Sequence, residues 1–282
     1  MQIISGIPEI SAALRELRRN GSVGLVPTMG ALHEGHRSLV RAARQRCAIV
    51  VVSIFVNPTQ FAPNEDFNRY PRTLEDDCKM LRAESVDLVF TPTAEAMYPP
   101  GASAFIEVAG VGDRLDGASR PGHFRGVATV VAKLFHVIQP DLAFFGQKDA
   151  AQVAVLRQMV RDLNFPVELA ICPIVREPDG LAMSSRNRYL SAEERQQALS
   201  LHRALEIAES LAKRGERRAE KLLDAMNATL LQEPGVRVDY LAVADPDTLL
   251  PLEDVAAGAV LAVAAHVGNT RLIDNILLPP AR

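Results

Sequence analysis

Two histidines and two glycines stand where an apolar run gives way to a helical pattern. The segment Val23–His36 reads VGLVPTMGALHEGH, and its first four residues are typical of a buried strand. The N-terminus of the following helix would attract anions, because its N–H groups lack partners and its dipole is positive there. Gly30 and Gly35 would let a phosphate approach the backbone. His33 and His36 could donate hydrogen bonds to phosphate oxygens and stabilise the negative charge that develops on them.

A structural interpretation of the same histidines stays open at this point, in which both imidazoles cap the helix and pack under the loop. A zinc site is disfavoured. His33 and His36 are three residues apart, whereas the zinc-binding H-E-x-x-H pattern separates its histidines by four.

A second polar loop follows the apolar run that ends at Val56. Asn57 and Gln60 carry amides that could orient a small polar substrate, and Phe55 and Phe61 give them an apolar frame. A turn without a binding role is the alternative for this segment taken alone.

A third loop, Phe145–Asp149, again joins a strand to a helix. Gly146 permits close approach to the backbone, Lys148 can reach a phosphate, and Asp149 can bond a ribose hydroxyl or cap the helix. Further along, Met183–Arg186 adds two hydroxyls and a guanidinium, which suit a polyphosphate, although a solvated loop would look the same.

The sequence has one more basic loop, and it lacks two common nucleotide-binding motifs. Arg120–Gly126 reads RPGHFRG, and it could complete an anionic pocket or simply lead into a helix. The chain has no G-x-x-x-x-G-K-[ST] loop, and Gly110-Val-Gly112 is followed by Leu115 instead of a third glycine. Interpretations as a P-loop or nicotinamide-binding protein therefore lose support.

The elements that position these loops alternate over residues 1–175. Short β-branched runs alternate with stretches of helical spacing, which predicts a parallel sheet with helices on both faces. In such sheets ligands bind at the carboxyl ends of the strands. The predicted strands are Val23–Val26, Ile49–Val56, Val86–Phe90, Leu142–Phe145 and Val167–Val175. The predicted helices are Ile10–Arg19, Ser38–Arg46, Leu74–Ala83, Val127–Ile138 and Ala151–Leu163.

The pattern changes after Val175. Ser191-Ala-Glu-Glu194 is a capping box that predicts a helix to about Arg214, and a second helix is expected at about Glu216–Leu231. Three strands follow, namely Val236–Val243, Ala259–Val267 and Arg271–Leu278. We therefore predict an α/β protein, with a Rossmann-like domain of residues 1–175 that binds nucleotide and substrate. Residues 176–282 would form a smaller C-terminal α+β domain that could act as a lid.

Composition limits the classes of partner. The 282 residues are 48% hydrophobic and 23% charged, with a formal net charge of -3, so the basic balance typical of nucleic-acid binding is absent. Cys47, Cys78 and Cys172 form no C-x-x-C pair, which disfavours disulfides and fits a reducing cytoplasm. The N-terminal residues lack the pattern of a signal peptide, and no apolar run is long enough to span a bilayer. We expect a cytoplasmic protein without nucleic-acid or membrane partners.

Six segments occur in order along the chain and together carry a resemblance. They are PTMGALHEGH, FVNPTQF, YPRTLEDD, DGASRPGHFRGV, FFGQKD and MSSRNRYL. Together they resemble the pantothenate synthetase (pantoate–β-alanine ligase) family of the nucleotidyltransferase superfamily. H-x-G-H alone is shared by many nucleotidyltransferases and some tRNA synthetases, whereas the six segments jointly are specific. The resemblance extends from Pro27 to the final TRLIDNILL.

The resemblance implies a reaction in two halves. The carboxylate of pantoate attacks the α-phosphorus of Mg-ATP, giving pantoyl adenylate and pyrophosphate. The amine of β-alanine then attacks the acyl carbon and releases pantothenate and AMP. ATP is thus expected as a substrate, with Mg²⁺ carried on its phosphates and no dedicated metal site. Pantoate and β-alanine are the other expected ligands, and a homodimer is expected because family members are homodimers.

The resemblance also assigns roles to residues of this chain. His36 takes the proton-donor role, and His33 and Lys148 share the charge of the phosphates. Gln60 and Gln152 match glutamines that hold pantoate, with Gln60 also near β-alanine. The catalytic candidates are His36, His33, Lys148 and Arg186. The candidates for ATP binding are Met29, Gly30, Ala31, Leu32, His33, Glu34, Gly35, His36, Gly146, Gln147, Lys148, Asp149, Val175, Met183, Ser184, Ser185 and Arg186.

The chain departs from the family's pattern beside the third loop. Gln147 stands where the family commonly has Glu, and Ala150 and Ala151 stand where it has an aromatic residue and Gln. These changes concern packing around the pantoate pocket and leave Lys148 and Gln152 in place.

Three other functions account for part of the pattern. A nucleotidyltransferase that adenylylates a small phosphorylated substrate shares the H-x-G-H chemistry, but it needs a cationic pocket for the second phosphate, whereas Gln60 and Gln152 are neutral. A tRNA synthetase needs an RNA-binding domain and a basic surface, and the net charge of -3 and the short C-terminal part offer neither. A nucleotide sensor without enzyme activity would not need four separate side chains directed at phosphates.

Overall fold

A computed structural model of the chain describes residues 1–63 and 65–281. These residues form two compact units. The first unit comprises Met1–Gly112, Arg120–Gly146 and Val155–Cys172, and the second comprises Asp113–Ser119, Gln147–Ala154 and the chain from Pro173 onward. Two short segments that precede Pro173 in the chain are therefore grouped with the C-terminal part.

A six-stranded parallel sheet is the framework of the first unit, with the strand order β1-β4-β3-β2-β5-β6. Its strands are β1 (Gln2–Ile4), β2 (Val23–Thr28), β3 (Ile49–Ile54), β4 (Leu88–Phe90), β5 (Leu142–Gly146) and β6 (Glu168–Cys172). The predicted parallel sheet is confirmed. Strand β1 was not predicted, because three residues at the edge of a sheet are too few to show a periodicity.

Helices accompany the strands of this sheet. They are α1 (Ile7–Leu17), α2 (Glu34–Arg46), α3 (Leu74–Ala83), α4 (Ala94–Met97), α6 (His123–Ile138) and α7 (Ala150–Asp162). The first residues of α7 belong to the second unit. The short helix α5 (Asp116–Ser119) lies wholly in the second unit. Val51 and Val52 in β3 point to opposite faces, and both are fully buried. Both faces of the sheet are thus covered, which explains why its strands are continuously apolar.

The direction in which the sheet grows reverses between β2 and β5. From β2 the chain proceeds to β3 and β4 on one side, whereas β5 leads to β6 on the other. Ligands of open α/β sheets bind at the carboxyl ends of the strands beside such a reversal. Strands β2 and β5 end at Thr28 and Gly146, so two of the loops with candidate chemistry begin at this point of the topology.

The second unit contains an antiparallel sheet in the order β7-β8-β9 and two long helices. These elements are α8 (Ala192–Lys213), α9 (Ala219–Leu230), β7 (Val236–Ala244), β8 (Ala259–Val267) and β9 (Thr270–Leu278). The predicted capping box is present, because Ser191 Oγ accepts the N–H of Glu194 at 3.2 Å and Glu194 Oε2 accepts the N–H of Ser191 at 2.8 Å. Leu261 and Val263 of β8 pack with Leu205 of α8 in one buried apolar cluster. The predicted α+β arrangement is confirmed.

Membrane insertion by a helix has no basis in the part of the chain that the structure describes. None of its helices is both long enough and apolar enough to cross a bilayer.

Candidate active site

Two imidazoles start helix α2. His33 is the N-cap residue, and its Nδ1 accepts the N–H of Gly35 at 3.2 Å, while Nδ1 of His36 accepts the N–H of His33 at 3.3 Å. The two side chains form a reciprocal capping box. The helix therefore begins at Glu34 instead of the predicted Ser38, because capping signals based on Ser, Thr, Asp and Asn do not anticipate histidine.

Capping also determines which nitrogen of each ring carries its hydrogen. A neutral imidazole has one N–H donor and one acceptor nitrogen. Since Nδ1 accepts in both His33 and His36, the hydrogen of each neutral ring lies on Nε2. The two rings are close, with centroids 4.1 Å apart. The capping and phosphate-binding interpretations are thus compatible, because capping uses Nδ1 and an anion would be met by Nε2–H.

A buried carboxylate shapes the loop between β2 and α2. Asp77 is 2% exposed, and its oxygens accept the N–H groups of Ala31 at 3.0 Å and Leu32 at 2.8 Å. Gly30 and Ala31 have left-handed backbone, with φ of 83° and 52°, a conformation that glycine adopts without steric cost. Ala31 and Leu32 precede the helix, and their N–H groups are paired with the Asp77 carboxylate, which fixes the path of the loop.

Glu34 lies in the first turn of α2 and takes part in an ion-pair network. Its carboxylate lies 2.5 Å from Arg41 and 3.4 Å from Arg37, and both arginines also pair with Glu84. This network ties the start of α2 to the end of α3. The candidate residue Glu34 thus helps to fix helix α2 against the end of α3.

A buried amide orients the candidate pantoate ligand Gln60. Asn57 is 1% exposed, and its Nδ2 donates to Gln60 Oε1 at 3.0 Å and to the carbonyl of Gly126 at 3.1 Å. Its Oδ1 accepts from the backbone and hydroxyl of Thr59. Nε2 of Gln60 lies 3.0 Å from Sδ of Met29. The structure thus brings Gln60 to the loop after β2, and Asn57 is a residue that positions Gln60.

Gly126 allows helix α6 to approach the turn that carries Gln60. A Cβ atom at this position would lie 2.3 Å from the carbonyl oxygen of Thr59 and 2.7 Å from the backbone nitrogen of Gln60. These contacts are with backbone, which cannot rotate away. Only glycine therefore fits here without moving the turn.

We expect Gly126→Ala to displace the Gln60 turn, and to lower stability by about 1–3 kcal/mol, as overpacking does. If Gln60 holds pantoate, as the resemblance implies, the KM for pantoate should rise while the KM for ATP changes less. Steady-state kinetics measure the two KM values, and urea unfolding measures the loss of stability. Gly112→Ala is the matched control, since its Cβ would be 3.8 Å from the nearest atom, an ordinary contact. Equal effects of the two substitutions would contradict the close-approach argument.

An ion pair neutralises the basic loop before α6. The guanidinium of Arg120 contacts both carboxylate oxygens of Glu65, at 2.6 and 2.8 Å, and lies 3.0 Å from Nε2 of His123. Nδ1 of His123 is 2.8 Å from the carbonyl oxygen of Gln60. The loop leads into α6, as one of its two interpretations held, and it also contacts the Gln60 turn through His123. Glu65 compensates the charge of Arg120, which disfavours a role of this arginine in an anion-binding pocket.

We expect the Glu65–Arg120 pair to stabilise the protein at neutral pH and to stop doing so in acid. Burial raises the pKa of Glu65, but the hydrogen bonds and charge of Arg120 outweigh it and hold the pKa below its usual 4.5. A lowered folded-state pKa stabilises above the unfolded value, and the contribution is lost as pH falls through the folded value. Glu65→Gln should lose about 1–3 kcal/mol at pH 7.

Urea unfolding as a function of pH measures this effect. The difference between Glu65→Gln and the unaltered chain should shrink below pH 4.5, where Glu65 begins to bind protons in the unfolded state. Glu95→Gln is the control. Glu95 is exposed to solvent, so this substitution makes the same chemical change without removing a half-buried ion pair. A difference that stays constant from pH 7 to 3 would contradict the ion-pair explanation.

The candidate Gly146 ends strand β5 in the first unit, and the candidates from Gln147 onward lie in the second unit. Lys148 stands in a 3₁₀ turn, Gln147–Asp149, with Nζ 3.8 Å from Oδ1 of Asp149. Gln152 is half-buried near the start of α7. The N–H of Met183 donates to the carbonyl of Val175 at 3.0 Å, so these two candidates are adjacent although eight residues apart.

Ser184 and Arg186 are also brought together. Ser184 caps the 3₁₀ turn Ser185–Tyr189, because its Oγ accepts the N–H of Arg186 at 3.2 Å. The segment before them is held by Arg176, whose guanidinium binds the buried carboxylate of Asp274 at 2.7 and 3.0 Å. The Met183–Arg186 segment is therefore a structured part of the second unit.

Metal ligands are not clustered in residues 1–63 and 65–281. No group of three or more His, Cys, Asp or Glu side chains there is arranged to hold an ion.

Three residues that shape the candidate site were not predicted from the sequence, namely Asp77, Asp274 and Asn275. Asp77 belongs to an acidic run at the start of a helix, a position that normally indicates a solvated first turn. Asp274 and Asn275 are consecutive polar residues within an apolar strand. Since successive strand residues face opposite sides, one of the two had to face the core cluster, and this was an available signal.

The fold and this geometry define the class of the protein, an α/β protein whose candidate histidine loop follows a strand at the switch point of a parallel sheet. A family model described as Pantoate-beta-alanine ligase matches residues 2–277, and the chain belongs to this family. The predicted family and the predicted enzyme class, a ligase, are confirmed.

Relatives support this assignment over the whole chain. Pantothenate synthetase from Acidobacterium capsulatum is 62% identical, with 96% of this chain and 95% of that protein covered. The crystal structure of pantothenate synthetase from Thermus thermophilus has a TM-score of 0.94 at 49% identity, covering 99% and 100% of the two chains. Pantoate-beta-alanine ligase from Francisella tularensis, solved with Beta-gamma ATP and Beta-alanine, has a TM-score of 0.80 at 35% identity, covering 98% and 97%.

Proposed function

We propose that this ligase uses ATP to condense (R)-pantoate with β-alanine through a pantoyl adenylate, and releases AMP and pyrophosphate. The observation that carries the proposal is the histidine capping box after β2, which sets the Nε2–H tautomer of two rings beside the switch point of the sheet. Adenylate formation builds negative charge on the α-phosphate and the leaving pyrophosphate, and preorganised donors stabilise such charge.

The chain's residues divide the nucleotide between them. Met29–His36 bind ATP, with Nε2–H of His36 as the donor to the phosphate that reacts and His33 as a second donor. Gly146–Asp149 and Val175 contact the nucleoside, and Lys148 balances phosphate charge. Met183–Arg186 binds the triphosphate through two hydroxyls and the guanidinium of Arg186.

Mg²⁺ accompanies ATP in this proposal. Magnesium keeps several of its waters and is commonly held by substrate phosphates with few protein carboxylates. The described residues offer no carboxylate cage, so the phosphates themselves bring the ion. Its contribution is to neutralise charge on the pyrophosphate that leaves.

Neutral amides recognise pantoate. Gln60 and Gln152 can donate and accept hydrogen bonds to the hydroxyl and carboxylate groups of a hydroxy acid, and Gln60 also contacts β-alanine. The hydrogen bond from Asn57 to Gln60 Oε1 leaves the side chain of Gln60 in a defined orientation. The alternative, a nucleotidyltransferase for a phosphorylated substrate, requires cations at these two positions.

We also propose that the protein is a homodimer, as the family resemblance implies, and that it works in a reducing cytoplasm. The three cysteines are free thiols, two of them buried, and burial raises the pKa of Cys47 and Cys78. Thiols with a raised pKa react slowly with oxidants and disulfides. Small molecules are the expected ligands, without nucleic acid or membrane.

Exchange of labelled pyrophosphate into ATP tests the proposed reaction. We expect exchange to require pantoate and Mg²⁺ but not β-alanine, because the adenylate forms before the amine attacks. Exchange that proceeds without pantoate, or only with a phosphorylated acceptor, would refute the proposed ligase reaction and favour the alternative transferase.

The role of Gln60 has a separate test. Gln60→Ala should raise the KM for pantoate by about 10-fold to 100-fold, the loss of one or two hydrogen bonds to a charged ligand. The KM for ATP should change little. Gln158→Ala is the control, because Gln158 is a half-buried amide on α7 that bonds only to its neighbours Arg161 and Asp162 among the contacts described. Equal weakening of ATP and pantoate would place Gln60 outside the pantoate pocket.

A further inference from the structure

Asn275 in β9 binds the backbone on both sides of the Lys148 α-carbon. Its Nδ2 donates to the carbonyl of Gln147 at 3.0 Å and to the carbonyl of Lys148 at 2.8 Å. Its Oδ1 accepts a hydrogen bond from Nε2 of Gln147 at 3.0 Å. Asn275 is 2% exposed, so all three bonds are shielded from water.

The orientation of this amide follows from its partners. Carbonyl oxygens only accept hydrogen bonds, so the side-chain atom that faces both of them must be the NH₂ group. The oxygen of Asn275 then faces Gln147, which must present its own NH₂ group. Reversing either amide would bring two acceptors or two donors together.

Asn275 is itself held in place from the opposite face of the strand. Its backbone N–H donates to Oδ1 of the neighbouring Asp274 at 2.8 Å. Asp274 is 4% exposed and receives two hydrogen bonds from Arg176. His202 of α8 also lies beside it, with Nδ1 3.8 Å from Oδ2. A buried ion pair therefore anchors the strand position from which the amide of Asn275 reaches the turn.

Bonding these two carbonyls restricts the direction of the Lys148 side chain. The carbonyls of Gln147 and Lys148 belong to the two peptide planes that meet at the α-carbon of Lys148. Peptide planes are rigid, so their orientations determine φ and ψ of that residue. These two angles fix the direction of the Cα–Cβ bond of Lys148, and the side chain that carries the ammonium group starts in that direction.

We propose that Asn275 is a positioning residue for Lys148, holding the turn so that the ammonium group meets the phosphates of ATP without a search. The proposal rests on the phosphate-binding role assigned to Lys148 under the proposed function. Asn275 does not touch the reacting atoms. Its effect is exerted through the backbone of the turn.

Substitution of Asn275 should affect the first half-reaction selectively. Asn275→Ala should slow pantoate-dependent pyrophosphate exchange by about 10-fold to 100-fold, the effect of a misplacement near 1 Å. The KM values for pantoate and β-alanine should stay within about twofold, because uniform binding of those substrates is not touched. Asn275→Ser, which keeps one hydroxyl donor, should recover part of the lost rate.

A double-mutant cycle separates positioning from general structural support. If Asn275 acts through Lys148, then Asn275→Ala should add little to the loss already caused by Lys148→Ala, because residues that act as a unit are not additive. Multiplicative losses would overturn the proposal. Gln147→Met removes the amide that bonds Oδ1 of Asn275, and the part of its loss that acts through Lys148 should likewise vanish in the Lys148→Ala background. Any loss of a direct contact between Gln147 and the nucleoside should remain there and appear as a higher KM for ATP.

Leu272→Ala is the matched control. Leu272 lies in the same strand, is also buried, and packs in the apolar cluster with α8 and α9. It should lower the unfolding temperature but leave the exchange rate per folded molecule unchanged. A loss of exchange equal to that of Asn275→Ala would overturn the proposal in favour of damage to the sheet.

The outcomes also separate this inference from the proposed function. If Lys148→Ala keeps full exchange, the phosphate role of Lys148 fails, and the inference fails with it. If Lys148→Ala loses exchange while Asn275→Ala and Gln147→Met do not, the phosphate role stands and only the positioning role of Asn275 is refuted.

Discussion

His36→Ala is expected to slow adenylate formation by about 100-fold or more, the effect of removing one preorganised donor to a charge that develops in the transition state. The donor is the Nε2–H group, because Nδ1 accepts the N–H of His33 at 3.3 Å. Single-turnover formation of the adenylate, or pantoate-dependent pyrophosphate exchange, measures the loss. The same substitution removes half of the capping box and should lower stability by about 0.5–2 kcal/mol.

His36→Gln distinguishes the two roles of the ring. Glutamine at the third helical position can return its side-chain oxygen to the N–H of the N-cap residue, so stability should be largely restored. The rate should remain low, because the NH₂ group of glutamine is carried by a flexible chain, whereas the rigid imidazole ring fixes the direction of its Nε2–H once Nδ1 is bound to the cap.

Ser38→Ala is the control for changes in the same helical turn. Its Oγ donates to the carbonyl of Gly35 at 2.7 Å, and its loss should affect stability slightly and the rate hardly at all. If His36→Ala loses stability but turns over at nearly the original rate, the ring serves only as a cap.

Lys148→Ala should lower the rate of adenylate formation by about 100-fold to 1,000-fold, since it removes a full positive charge from the phosphates. The side chain is 22% exposed, and its ion-pair partner among the described residues is Asp149, with Oδ1 3.8 Å from Nζ. That separation is too long for a hydrogen bond, so Asp149 does not hold the ammonium group in a fixed position. The ammonium group is therefore available to a phosphate in the direction that the turn gives it.

Two substitutions sharpen this prediction. Lys148→Arg keeps the charge but replaces a compact ammonium with a planar fork, so it should recover only part of the rate. Lys221→Ala, on the half-exposed surface of α9, removes one positive charge elsewhere in the second unit and should change nothing. If Lys221→Ala and Lys148→Ala slow exchange equally, net charge and not local phosphate contact is responsible.

Much of the fold was predictable because its strands are buried on both faces. A continuous apolar run such as Ile49–Ile54 has few alternatives to a central parallel strand. The Ser191 capping box likewise predicted the start of α8, which begins at Ala192. Two features were not predicted. Strand β1 has only three residues, and the start of α2 depends on histidine caps.

The candidate site divides in the same way. Polar residues directly after apolar strands drew attention to His33, His36 and Lys148, because strand ends are where such sheets bind ligands. The residues that hold these loops were not predictable from local pattern. Asp77 is 45 and 46 residues from the N–H groups it accepts, and Asn275 is 127 and 128 residues from the carbonyls it binds.

The sequence by itself determined the family, the α/β class and the residue types available for adenylate chemistry, because strand periodicity and adjacent motifs are local properties of the chain. Only the tertiary structure decided how those groups are presented. It directs Nδ1 of both histidines to the helix cap and leaves the hydrogen on Nε2, it pairs Arg120 with Glu65, and it places Asn275 on the turn of Lys148. Each of these depends on hydrogen-bond partners that folding brings together, and a buried polar group is stable only when such partners are present.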